Sequence, residues 1–126
     1  MFVPDGQLKS TAKAYGVYPA SDGPRLGSRT KNAGYVTRCT VEGEAFDGVI
    51  EGESYEQGDA VNVISFGPVE VTAGATFARG VRLMTDTAGK AIEATSGKYS
   101  ALVSDEAATE AGTRINAILG PPVVIP

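Results

Sequence analysis

Val61-Asn-Val-Ile-Ser-Phe66 decides the fold class. Polar and apolar residues roughly alternate along it, as a strand with one covered and one exposed face demands. The alternation returns in Arg114-Ile-Asn-Ala-Ile-Leu119. Working outward, short β-prone runs separated by Gly, Asp, Asn or Pro recur about every ten residues, the spacing of a small sandwich or barrel. The runs are 35–41, 45–51, 60–66, 68–72, 81–85, 90–94, 99–105 and 113–119. Val81-Arg-Leu-Met-Thr-Asp86 and Ala91-Ile-Glu-Ala94 read as a hairpin whose loop turns at Gly89, where positive φ is cheap.

The expected class is therefore all-β: a small β-barrel or β-sandwich-like body with at most one or two short helical turns. One turn would start at Thr72 and cover 73–79 up to Gly80; the other would cover the Ala-rich 106–111 before Gly112. The body is expected over 35–120. Residues 1–34 are rich in breakers (Pro4, Gly6, Gly16, Pro19, Gly23, Pro24, Gly27, Gly34) and are expected to form an extended N-terminal arm. Residues 121–126 read as an extended C-terminal tail, because Pro121–Pro122 cannot sit in a central strand.

Charge is uneven. Residues 1–40 hold six of the 11 basic residues against Asp5 and Asp22, while 41–126 hold thirteen of the 15 acidic ones. This reads as a basic arm on an acidic body. The cations are dispersed and no aromatic-rich RNA-binding signature accompanies them, so a protein surface is the expected contact rather than nucleic acid. No apolar run approaches the ~20 residues that span a bilayer, and no membrane contact is expected. The N-terminus shows no secretion signal, which points to synthesis in a cytoplasm.

The chain has 126 residues and no histidine. Ser-His-Asp and Cys-His catalytic sets are thereby excluded, as is any His-containing metal site. Cys39, the single cysteine, lies in apolar Tyr35-Val-Thr-Arg-Cys-Thr-Val41 and reads as a core or interface residue. The carboxylates Glu42, Glu44, Asp47, Glu51, Glu53, Glu56 and Asp59 lack the ordered spacing of a calcium loop and read as a solvated face. Gly43-x-x-x-x-Gly48 lacks the Lys-Ser/Thr that completes a phosphate loop. Lys90 at the hairpin lacks the neighbours of a carrier-domain lysine. No cofactor, metal or catalytic residue is expected, and the chain is not expected to be an enzyme.

Family information lies in the C-terminal two-thirds. Gln57-Gly-Asp-Ala-Val-Asn-Val63 precedes Val71-Thr-Ala-Gly-Ala-Thr-Phe-Ala-Arg-Gly-Val-Arg-Leu-Met-Thr-Asp86. Then follow Ala88-Gly-Lys-Ala91, Ser100-Ala-Leu-Val103 and Glu110-Ala-Gly-Thr-Arg-Ile115. This order resembles the small cement (decoration) proteins of tailed-phage capsids, over about residues 45–120. The resemblance implies a β-barrel-like body that forms homotrimers at threefold or quasi-threefold positions on the outer surface of the expanded shell. It also implies the major capsid protein as partner, with arms reaching neighbouring capsomers. The residues expected at capsid or subunit interfaces are Phe2, Val3, Tyr15, Tyr18, Arg25, Arg29, Val123 and Ile125. Another structural virion component, such as a head-completion or tail-tube protein, and a small β-barrel ligand-binding or carrier domain are the alternatives.

Overall fold

A computed structural model describes residues 7–126. Nine strands follow in chain order: β1 (Leu8–Ala14), β2 (Arg25–Ser28), β3 (Tyr35–Arg38), β4 (Gly48–Glu51), β5 (Ala60–Thr72), β6 (Arg82–Thr85), β7 (Ala91–Glu93), β8 (Tyr99–Ser104) and β9 (Arg114–Val124). They make one large sheet in the order β1-β3-β2-β4-β5-β9-β8-β6-β7. An additional β1–β5 pairing bends its first half into a partial ring. The all-β class holds.

β5 organises the molecule. Its first half pairs with β1 and β4, and its second half with β9. Gly67, with φ of 96°, sits where the partners change, a backbone state only glycine adopts without strain. Pro68 follows where β9 is the one strand paired with β5, so its missing N–H leaves no ladder bond unmade on a second side. Two apolar clusters meet across this strand. Val61 and Val63 pack with Ala14, Tyr18, Val36 and Ile50, whereas Ile64, Val69 and Val71 enter the larger cluster around Leu26, Phe46, Leu83, Leu102 and Ile115. Val63 and Ile64 are thus both buried, and β4 repeats this with Val49 and Ile50. Coverage on both faces explains the continuous apolar run there.

The sheet differs from the sequence expectation at both ends. Residues 8–14 and 25–28, read as arm, are strands. β1 pairs with β5 from Leu8 to Lys13 and with β3 at Lys13–Ala14, and β2 lies between β3 and β4. What fixes them is burial: Ala14 and Leu26 are fully covered. At the other end β9 continues through Pro121–Pro122 to Val124, pairing Ser100 with Val123 and Tyr99 with Val124. The prolines are accommodated because pairing with β5 ends at Leu119 and the β8 register shifts between Ser100 and Leu102.

The Ala-rich segments 73–79 and 106–111 are not helical. They form a bridge to each other, Phe77 and Ala108 exchanging backbone bonds of 3.2 and 3.0 Å. The only helical backbone among the described residues is a 3-10 turn at Ala20–Asp22. The hairpin forms as expected, with Thr85 opposite Ala91. The Asp86 carboxylate accepts from the Ala88 and Lys90 amides at 2.8 and 2.9 Å and so fixes the loop. Gly89 (φ 77°) rests against β2, its carbonyl accepting from Leu26 N at 2.7 Å.

Candidate interaction surfaces

Cys39 and much of the acidic run are engaged within the fold. Cys39 is fully buried, and burial, reinforced by the nearby Glu44 charge, pushes its thiol up to about 12. It is a core residue, inert as a nucleophile at neutral pH. Most of the acidic run works locally. Glu44 accepts from the amides of Thr40 and Val41, both at 2.8 Å, and pairs with Lys31 at 2.9 Å. Burial alone would raise this carboxyl; the Lys31 bond and the two amides outweigh it, so it lies below its ordinary value. Asp47 holds the Arg29 amide, Asp59 caps Tyr55 and Glu56, and Glu51 pairs with Lys9. Among the described residues no three potential metal ligands come together.

Two of the expected contact residues are built into the interior. Tyr18 is 8% exposed and exchanges backbone bonds with Ser54 at 3.1 and 3.0 Å. Its hydroxyl accepts from Arg38 N at 3.1 Å, and the Arg38 guanidinium lies 4.6 Å from the ring centroid. Arg25, also 8% exposed, donates to the carbonyls of Asp22 and Ala88, both at 2.8 Å. Burial, then Arg38, lowers its pKa. The Asp22 carboxylate stands between both guanidiniums, 3.0 Å from Arg38 and 4.0 Å from Arg25. This knot ties the 3-10 turn, β2, β3 and the β6–β7 hairpin together and leaves Tyr18 and Arg25 little surface for a partner. Phe2 and Val3 lie outside the described residues.

Tyr15 and Arg29 are exposed and belong to one region. Tyr15 packs edge-on against Tyr35, centroids 5.5 Å apart. Beside this pair a cleft of about 430 Å³ is lined by Thr11, Ala12, Lys13, Arg29, Gly34 and Tyr35. Val123 and Ile125 belong to another, apolar cleft of about 640 Å³, with Val81, Ala94, Val124 and Pro126 as walls and Arg82 and Glu93 at its margin. The two clefts draw on opposite ends of the strand order.

A third surface escaped the sequence reading. Leu8 opposes Phe66 and Pro68 opposes Ile118, and all four are exposed, forming an apolar stripe over β1, β5 and β9. The available signal was phase: in β9 the inward set is Ile115, Ala117 and Leu119, so Ile118 is an apolar residue on the outward phase beside Asn116.

No protein-family model matches the chain, and no curated protein sequence matches it. Among solved structures, the chain is similar to the N base of the head fiber gp8.5 of bacteriophage phi29, with a TM-score of 0.66. The alignment covers 90% of this chain and 94% of that one, at 18% identity. The chain shares the fold of a phage head-fiber base. At this identity the likeness is one of fold. That neighbour is named as a head-fiber protein, whereas the sequence pattern of residues 45–120 resembles cement proteins.

Proposed function

We propose that the chain is a structural component of a tailed-phage head, a decoration protein bound to the outer surface of the expanded shell. It acts without catalysis, as a homotrimer at threefold or quasi-threefold positions, and bridges subunits of the major capsid protein. It is made in the cytoplasm of the host bacterium and ends on the virion. The observation that carries this reading is the near end-to-end fold likeness to a phage head-fiber base, reached independently of the cement-protein pattern in residues 45–120. The surfaces fit the task. Bridging needs separate contact areas repeated by symmetry, and the Lys13–Arg29 cleft, the apolar stripe and the C-terminal cleft supply three.

The neighbour's own role favours a second reading, in which the chain anchors a projecting fiber and does not strengthen the shell. One experiment separates the two. Purified protein is mixed with expanded shells that lack it, and co-sedimentation and the temperature of shell disruption are measured. Saturable binding at three copies per threefold position with a raised disruption temperature is the expected result. Binding without that rise supports the anchor; no binding at micromolar concentration overturns both.

A further inference from the structure

We infer that the cleft between β1 and the β2–β3 loop is a docking site for an extended, acidic segment of a partner polypeptide. Lys13 and Arg29 both line it, and no carboxylate does. In a chain of net charge −4 this is a local reversal of sign. The Arg29 guanidinium is held by a neutral group, the Ser10 hydroxyl, so its charge is not cancelled there. The Asp47 carboxylate, which lies beside Arg29, is engaged on the Arg29 backbone amide. Two cations on one wall set therefore await anionic partners.

The backbone says which kind of anion. Strand β1 is paired with β3 only at Lys13–Ala14, so towards Leu8 its β3 side carries no strand among the described residues. Ala14 N donates to Asp59 O on the β5 side. Antiparallel alternation then turns the amide and carbonyl of Thr11 away from β5, towards the cleft. An extended peptide can bond to that edge while its outward carboxylates reach Lys13 and Arg29, and the Tyr35 ring, packed edge-on against Tyr15, offers an aromatic wall. A nucleic-acid strand fits less well. It needs cations tracking several phosphates, whereas the cleft is lined by two cations only, Lys13 and Arg29.

The test uses the full chain, labelled with ¹⁵N, and three probes followed by amide shifts: a seven-residue peptide alternating Glu with Val, its Gln-for-Glu twin, and an eight-residue oligothymidylate. The Glu peptide is expected to shift amides within 9–13 and 29–35. The Gln twin should bind about tenfold more weakly, as should the Glu peptide to a Lys13→Ala/Arg29→Ala variant whose spectrum shows the native fold. Equal binding of the twins, shifts confined to other regions, no saturable binding of the Glu peptide, or tighter binding of the oligonucleotide would overturn the assignment.

Discussion

Glu44 shows how a single side chain in an acidic run becomes structural. It closes the turn after β3 by accepting two amides and one ammonium. Its carboxyl lies below the ordinary 4.5, so its contribution is fully present above that value and is lost as pH falls through the lower folded-state value. Glu44→Gln should cost about 1 kcal/mol at pH 7. The gap to wild type, read from urea unfolding across pH, should close below pH 4.5. Cys39 provides a second residue-scale check. With its thiol pushed up to about 12 by burial, it should resist a disulfide reagent in the native protein and react at once in denaturant. Fast native labelling at pH 7.5 would contradict the burial.

At the scale of elements, the β6–β7 hairpin is held by its approach to β2 as well as by its own pairing. A Cβ on Gly89 would stand 2.8 Å from Arg38 Cγ and 3.1 Å from the Leu26 carbonyl, at φ of 77°. Gly89→Ala should therefore cost about 2–3 kcal/mol, combining backbone strain with a displaced neighbour. Gly80 has a similar φ of 85° and open space around it, so Gly80→Ala should cost only about 1 kcal/mol. Chemical denaturation of both variants gives the comparison. The hairpin was legible in sequence because pattern and turn chemistry agree locally. The elements at 73–79 and 106–111 were not, since their alanines favour a helical turn in isolation and only the distant Phe77–Ala108 bridge settles them.

For the whole molecule, the sequence read the strands from Tyr35 onward within a few residues except for the end of β9, which runs on to Val124, and lost the first two. Leu8-Lys-Ser-Thr-Ala-Lys-Ala14 carries few β-branched or large apolar residues; it is a strand because Ala12 and Ala14 close the smaller cluster from far along the chain. Arg25-Leu-Gly-Ser28 hides its nature behind a buried arginine and a glycine. The residues expected at interfaces differ in the same way. Tyr15, Arg29 and Val123 are exposed, while Tyr18 and Arg25 look equally free in a sequence and are committed to a knot that only tertiary structure forms. Removing residues 1–14 discriminates strand from arm. Loss of β1 uncovers Val36, Val61 and Val63 and should cost more than about 3 kcal/mol, seen as a lowered unfolding midpoint. A dispensable arm would leave the midpoint unchanged.

The sharing of β5 also has a mechanical side. Leu8 begins β1 opposite Phe66, and β9 leaves β5 at Leu119, opposite Gly67, so both terminal strands meet β5 at its midpoint and run antiparallel to it. Tension pulling the chain ends apart drags one strand along β5 in one direction and the other in the opposite direction. Six residue pairs on each side are then loaded in shear together, instead of being peeled open in succession. A body strung this way resists stretching through its unfolding barrier rather than through its equilibrium stability.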